Sequence, residues 1–479
     1  MHCETLQIPV IRNPQSEIRN SLVARLLYNL IFPFVFLAML PRFLYRMARR
    51  GGYRASFGDR FGKFEAAQAA RIRSRPGWTW IRAVSVGEMQ IAEKLIRQLR
   101  KQNPDLRIVL STTTSTGHSL AQERFAEALG DWMELIYTPL DFPSFVHAAL
   151  NLIQPERIVF VEAEVWPNIV ALARKRGIRL ALVNARLSPR SEGRFRKFRF
   201  FTGPVFAGLD AICLAEQEDF EIWQGLGVPR DRLRLTGSIK FDYSVSRLTP
   251  EKREEIEAAV AELGWPDRAE RLVLMAGSTH SGEEQLLAEI YLRLRERIPQ
   301  LRLLLAPRHF ERAPDIEKEL RALGIPSRRR TKIRVPELAL VSGSAALPDS
   351  PAAEAPVHPP ALILDTTGEL RQWYSVADVV VIGKSLRSSG GQNPVEVIAA
   401  GSALVMGPRM QNFRVVVRNL LAHQAARQVA DDAELETVIG QLMTHEPERR
   451  QLAANGRAIV EEHHGATART AEVVLALRS

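Results

Sequence analysis

From Trp78 onward the chain repeats one pattern: a short apolar run, a turn of small or polar residues, then a helix-patterned stretch with one apolar face. Candidate strands fall at 78–86, 107–111, 157–161 and 179–183, and again at 272–276, 301–306, 361–364, 379–382 and 403–406. Short apolar strands alternating with amphipathic helices imply parallel sheets, because each crossover helix covers a face of the sheet and leaves the strands buried on both sides. The expected fold class is α/β, doubly wound and Rossmann-like. The 479 residues exceed what one core holds, so two such domains are expected. The pattern breaks at 242–250, after Leu235-Thr-Gly-Ser-Ile-Lys-Phe241, which sets an N-terminal segment at 1–50, a first domain at 51–245 and a second at 246–479. Within the second, 336–360 is rich in Ala, Ser and Pro and is expected to be a disordered surface loop. The stretch 464–477 is expected to be a helix packing back across the first domain. Doubly wound domains place ligands at the carboxyl ends of their strands.

The 65 Lys and Arg exceed the 54 Asp and Glu by 11, which points to anionic partners. Nucleic acid is not expected: only 7% of residues are aromatic, and neither zinc-finger spacing nor an RNP-type motif occurs. Cys3 and Cys213 cannot make a disulfide framework, which suits a reducing compartment. Near the N-terminus, residues 26–41 (LLYNLIFPFVFLAMLP) carry no charge, and Arg42, Arg46, Arg49, Arg50 and Arg54 follow. The run is shorter than the roughly 20 residues that cross a bilayer comfortably, and Pro33 interrupts it. The arginines follow rather than precede it, and no small-residue cleavage site is visible, so a signal peptide is disfavoured. The segment is expected to be a membrane anchor or monotopic segment, with the basic flank keeping the rest of the chain cytoplasmic. Whether it crosses the bilayer or lies in it stays open.

Several strand ends carry residues suited to chemistry. Ser85-Val86-Gly87-Glu88 joins a strand to a helix, and Glu88 is placed to take a proton from an acceptor hydroxyl. A helix N-terminus favours the charged carboxylate, so Glu88 is expected to be a weakened base; the same position also suits a simple first-turn acid. Glu162-Ala-Glu164 ends another strand and suits metal or acid/base work, or equally capping and salt bridges. No Asp-x-Asp occurs, which argues against a divalent-metal site. Ser111-Thr-Thr-Thr-Ser-Thr-Gly117-His118 and Gly277-Ser278-Thr279-His280-Ser281-Gly282-Glu283-Glu284 supply hydroxyls near helix starts, and Ser281 with Glu284 has the spacing of a capping box. Arg308, after the strand at 301–306, can grip a phosphate, although surface salt bridges are commoner for arginine. Asp365-Thr-Thr-Gly368-Glu369 and Ser388-Ser-Gly-Gly-Gln-Asn393-Pro394-Val-Glu396 each follow a strand and open a helix. Thr366 with Glu369 is expected to form a capping box, Asn393 to be an N-cap, Pro394 the first helical residue, and Glu396 to meet ribose hydroxyls. Capping alone would explain either segment; together they suit a nucleotide-sugar site. Arg186, Arg190, Arg194, Arg196, Lys197 and Arg199 form a basic run suited to lipid headgroups or an acidic lipid, though such runs are usually solvated faces.

Taken in order, these motifs resemble the 3-deoxy-D-manno-octulosonic acid (Kdo) transferases, over about nine-tenths of the chain. The resemblance runs through Arg60-Phe-Gly62, Ala83-Val-Ser-Val-Gly-Glu88, Glu162-x-Glu164-x-Trp-Pro-Asn168, Asn184-Ala-Arg-Leu-Ser188 and Thr236-Gly-x-x-Lys-Phe-Asp242. It continues through Ala276-Gly-Ser-Thr-His280, Pro307-Arg-His309, the Thr-Gly-Glu-Leu and Gly-Gly-Gln-Asn-Pro-x-Glu segments, Met406-Gly-Pro408 and Gln411-Asn-Phe413. It implies a GT-B glycosyltransferase that moves Kdo from CMP-Kdo to a lipid A precursor with inversion, in lipopolysaccharide synthesis. No cofactor or essential metal is implied. The general base maps onto Glu88, and the donor-binding positions onto Ser278, Thr279, Arg308, Gly368, Glu369, Asn393 and Glu396. Glu162, Glu164 and Arg186 are expected to bind or support the acceptor. The implied location is the cytoplasmic face of the inner membrane of a Gram-negative-type bacterium, against an anionic membrane surface. Three positions depart from the family pattern: Lys384 stands where glycine is usual, Gln392 where histidine is, and Ala163 where threonine is. Other sugar transferases and nucleotide-sugar epimerases share the architecture and are the alternative reading.

Overall fold

The computed structural model describes residues 14–50, 56–162, 164–187, 189–243, 248–333 and 359–478. The chain divides into two compact units: one ends at Asp242 and resumes at Gly465, and the other is Tyr243–His464. Of the 336–360 segment, residues 336–358 lie outside the described residues.

In the first unit, β1 (Trp78–Arg82), β2 (Ile108–Thr112), β3 (Met133–Tyr137), β4 (Pro155–Val161), β5 (Arg179–Ala185), β6 (Ala211–Leu214) and β7 (Leu233–Leu235) form one sheet in the order β3-β2-β1-β4-β5-β6-β7. Every pairing is parallel. The winding reverses between β1 and β4, the place where an open parallel sheet leaves a crevice for ligands. The first strand stops at Arg82, four residues short of the expected 78–86 run, because Ala83 to Ser85 form the turn into the helix Val86–Gln102. That helix buries Ile91, Ala92, Leu95, Ile96 and Leu99 together with Ala471 and Val474 of the helix Ala466–Ala476. Asp242 holds the start of the latter helix by accepting from the N–H groups of Gly465 (2.8 Å) and Thr467 (2.6 Å).

The helix Pro14–Arg50 contains the apolar stretch Leu22–Pro41, 20 residues long. One face meets the first unit: Phe32 packs against Phe142 and Trp166, with ring centroids 5.1 and 5.9 Å apart, and Asn29 and Asn168 exchange amide hydrogen bonds at 3.1 and 2.7 Å. The other face carries Leu26, Leu30, Phe34, Leu37 and Met39, all well exposed.

The second unit repeats the plan with β8 (Leu272–Thr279), β9 (Leu301–Pro307), β10 (Ser327–Arg329), β11 (Ala361–Ile363), β12 (Val379–Ile382), β13 (Ala403–Met406) and β14 (Arg427–Gln428), in the order β10-β11-β9-β8-β12-β13-β14. Again all pairings are parallel, and the winding reverses between β8 and β12. A fully buried carboxylate ties the loops after these two strands. Glu283 Oε2 accepts from the N–H groups of His280 (2.9 Å) and Lys384 (2.8 Å), and Oε1 from those of Leu386 (3.0 Å) and Arg387 (3.3 Å). Glu283→Gln turns one acceptor into an amide donor facing backbone N–H groups. It is expected to cost about 2–3 kcal/mol of stability, seen as a lower denaturant midpoint for the full chain.

Candidate active site

In the first unit the residues of interest gather where the winding reverses. Ser85 caps the helix Val86–Gln102: its Oγ lies 3.3 Å from the N–H of Glu88 and donates in turn to Glu88 Oε1 at 3.0 Å. The second carboxylate oxygen accepts from the Val84 N–H at 2.8 Å. Glu88 is only 7% exposed, and its pKa is pushed up to about 7, first by burial and then by the charges of Glu162 and Glu164, against the two hydrogen bonds. This corrects the expectation of a weakened base. The helix terminus does favour the anion, but loss of water and two nearby carboxylates outweigh it, and Glu88 titrates near neutrality.

Glu162 directly follows β4 in the left-handed region (φ 61°) and pairs with Lys240 at 2.5 Å; Glu164 accepts from the Trp166 indole at 2.9 Å. Arg186 follows β5, the sheet neighbour of β4, and its charge favours the ionised form of Asp219. Beneath them lies Arg82, 3% exposed, whose Nε and Nη1 have no hydrogen-bond partner among the described residues. Burial pulls its pKa down, while Asp141, Glu164 and Glu88 favour its charged form. Asp141 itself accepts from the N–H groups of Asn168 and Ile169 at 2.9 and 3.1 Å. Neither Arg82 nor Lys240 was signalled as a site residue by the strand-end motifs, since both contacts join segments far apart in sequence. The Thr114 hydroxyl caps its own helix through the Gly117 N–H (3.1 Å), so the Ser111–His118 turn is already satisfied at that donor.

In the second unit, Ser278 and Thr279 end β8, and Asn393 and Glu396 follow β12 beside it. Ser278 is left-handed (φ 55°). Tyr374 connects the two groups: it lies within reach of the Ser278 side chain, and Glu396 acts on it as a charge. Asn393 donates to Glu396 Oε1 (3.1 Å) and to the Tyr243 hydroxyl (2.6 Å), which fixes the Glu396 carboxylate in the first turn of Val395–Ala400. That helix starts one residue later than expected, with Pro394 at the cap position; Asn393 still caps it through its Oδ1, 3.2 Å from the Val395 N–H.

Neither expected capping box forms. Glu369 is itself the N-cap of Leu370–Tyr374, and its carboxylate accepts from Thr366 Oγ1 (3.2 Å) and the Trp373 indole (3.3 Å) and lies 3.5 Å from Arg330 Nε. The helix after β8 has left-handed Gly282 at its cap, and Glu284 turns away to Thr279 Oγ1 (2.8 Å) and Arg312 (2.7 Å). A buried hydroxyl and a guanidinium outcompete a cap for that carboxylate. Gly368 is exposed and left-handed (φ 88°), a conformation that explains glycine there. Arg308 is exposed; its N–H donates to the Thr279 carbonyl at 3.0 Å, which places it at the end of the neighbouring strand β9. The second unit thus groups Ser278, Thr279, Asn393 and Glu396, with Arg308 adjoining, while Gly368 and Glu369 sit at the end of β11 beside Arg330. Among the described residues no cluster of His, Cys, Asp and Glu has the makings of a metal site.

A family model described as 3-deoxy-D-manno-octulosonic-acid transferase (kdotransferase) matches residues 55–243. The 3-deoxy-D-manno-octulosonic acid transferase of Bordetella pertussis is 31% identical over 437 residues, covering 90% of this chain and 94% of that protein. The enzyme of the same name from Haemophilus influenzae is 28% identical over 423 residues, covering 88% and 91%. Among solved structures, the C-terminal CMP-Kdo binding domain of WaaA from Acinetobacter baumannii is similar at 24% identity and a TM-score of 0.34, over 43% of this chain and 97% of that one. With two parallel, doubly wound sheets and relatives matched along nearly their whole length, this chain belongs to the 3-deoxy-D-manno-octulosonic acid transferase family of glycosyltransferases.

Proposed function

We propose that the chain transfers Kdo from CMP-Kdo to a hydroxyl of a lipid A precursor, with Glu88 as the general base. The observation that carries the assignment of the base is a buried carboxylate at a strand end whose pKa is raised to about 7. The acceptor hydroxyl oxygen attacks the anomeric carbon as the bond from that carbon to the CMP phosphate oxygen breaks. CMP leaves with the bonding electron pair, and the hydroxyl proton passes to Glu88. Attack from the face opposite the leaving group inverts the centre. The anion of Glu88 also opposes the positive charge that develops at the anomeric carbon.

On this reading Ser278, Thr279, Arg308, Gly368, Glu369, Asn393 and Glu396 hold the donor, with the two carboxylates suited to sugar hydroxyls and Arg308 to the phosphate. Glu162 and Glu164 tune Glu88 by charge, and Arg186 adds a cation for an acidic acceptor. The apolar helix supports a monotopic anchor in the cytoplasmic leaflet, because the Asn29–Asn168 and Phe32–Trp166 contacts keep one face on the protein and leave the other apolar. Exposed Phe198 and Phe200 among Arg194, Arg196, Lys197 and Arg199 suit an anionic headgroup region. Between the anchor helix and the helices Pro167–Lys175 and Arg199–Phe206 lies a cavity of about 730 Å³, lined by Leu22, Tyr28, Val170, Phe201 and Leu226, with room for an acyl chain.

The test is CMP release from CMP-Kdo generated in situ, with and without a tetraacylated lipid A precursor. Acceptor-dependent release is expected, falling about 100-fold or more in Glu88→Ala. Release indifferent to acceptor and to the substitution would refute the assignment. Because Glu88 must be deprotonated to act, kcat/KM is expected to rise with pH through a midpoint near 7. Stability carries the opposite sign. The folded chain holds this proton more tightly than the unfolded one, so stability falls as pH rises from the ordinary 4.5 through about 7. Glu88→Gln, inactive, is therefore expected to be more stable than wild type at pH 8 by on the order of 1–3 kcal/mol in denaturant titration. For the anchor, Leu30→Glu with Phe34→Glu is expected to release the protein from vesicles containing anionic phospholipid in a flotation assay, without lowering its thermal midpoint.

A further inference from the structure

Lys384 occupies a position whose backbone favours glycine. It lies just after β12 with φ 57°, in the left-handed region where a side chain is a liability. Gly383 before it has a clear steric reason to be glycine, since a Cβ there would run into the backbone of Ser278 and Thr279. No packing requirement of that kind calls for lysine at 384. The loop is held by main-chain atoms: the Lys384 N–H donates to Glu283 (2.8 Å), and its carbonyl accepts from the Gly391 N–H (2.9 Å). The side chain passes over Gly390, its Cε 3.6 Å from where a Cβ on that glycine would sit.

The charge on this side chain is unanswered. Lys384 is half-buried, and among the described residues no carboxylate comes within ion-pair distance of its ammonium. Glu283, which its own N–H contacts, already accepts four backbone N–H groups. The other neighbours are neutral or cationic: His280 feels the lysine as a like charge, stands 3.4 Å from Gln392 through their terminal nitrogens, and makes an edge contact with His309 at 5.8 Å. A half-buried ammonium with no counter-ion is poorly solvated and favours an anion brought from outside. It stands at the reversal of the second sheet, at the start of the segment that leads from β12 to Asn393 and Glu396, and next to Gly383, which packs on the Ser278 and Thr279 backbone at the end of β8.

We propose that Lys384 receives an anionic group of the sugar-nucleotide donor, its phosphate or its sugar carboxylate, and so sets this chain's preference for a donor that carries one. The inference rests on the donor-binding reading of the second unit. It makes Lys384 a specificity-determining residue that replaces backbone ease with a cation.

The test compares full-length wild type with Lys384→Gly, Lys384→Met and Lys384→Arg. Glycine relieves the left-handed backbone, so Lys384→Gly is expected to melt no lower than wild type, which separates a binding defect from misfolding. Its KM for CMP-Kdo is expected to rise about tenfold or more with kcat changed far less, and arginine to restore part of the loss. Calorimetric binding of CMP alone identifies the anion. A matching loss of CMP affinity assigns the phosphate; unchanged CMP affinity with raised KM assigns the carboxylate. KM and CMP affinity both within about twofold of wild type in the glycine and methionine variants would overturn the proposal. A wild type that binds CMP but never releases it from CMP-Kdo would overturn the reaction instead. Lys384 would then stand or fall on CMP affinity, with a change within twofold counting against it.

Discussion

Every strand in each sheet runs the same way, so every loop that leaves a strand opens at the same edge. That constraint organises the chain's chemistry. Parallel strands need helical crossovers, the crossovers bury both faces, and the buried strands leave only their carboxyl ends to present polar side chains. Glu88, Glu162 and Glu164 follow β1 and β4, the two strands between which the first sheet reverses. Ser278 and Thr279 end β8, and Lys384, Asn393 and Glu396 follow β12; between these two strands the second sheet reverses. Neither set is adjacent in sequence; each is assembled by winding.

Two buried glutamates show how surroundings divide one functional group between two uses. Glu283 sits where four backbone N–H groups converge, and its oxygens serve as a knot between two loops. Removing it would leave donors buried without partners, which is why a charged residue is tolerated at zero exposure. Glu88 has only the Val84 N–H and the Ser85 hydroxyl to hold it and shares its neighbourhood with two further carboxylates. Fewer donors and more like charge leave the proton nearly balanced, a poor structural tie but a serviceable proton acceptor.

The doubly wound fold was legible because many of its buried strands are unbroken apolar runs: Val379-Val-Val-Ile382, buried throughout, allows little else. The strands that escaped notice are short or marginal. Ser327–Arg329 and Arg427–Gln428 are polar edge strands, and Met133–Tyr137 is an edge strand interrupted by a glutamate. Leu233–Leu235 is three residues long with an arginine at its centre, too short for a pattern to register. At the site, Glu88 and Glu396 could be picked out because each follows a strand and opens a helix. The capping boxes failed because Glu284 and Glu369 found long-range partners, Arg312 and Arg330, that no local spacing reveals. The titration of Glu88 was misjudged for the same reason. The helix terminus is a local feature, whereas burial and Glu162 come from elsewhere in the fold.

The helix Ala466–Ala476 has a consequence for how the protein is made. Its Ala471 and Val474 belong to the core cluster of the first unit, against Ile91, Leu95 and Leu99. Yet the ribosome reaches them only after the whole of Tyr243–His464 has emerged. At roughly 5–20 residues per second, the first unit waits some tens of seconds with an apolar strip of its helix Val86–Gln102 uncovered. The half made first is therefore the half completed last, and its final packing step is gated by translation of the other.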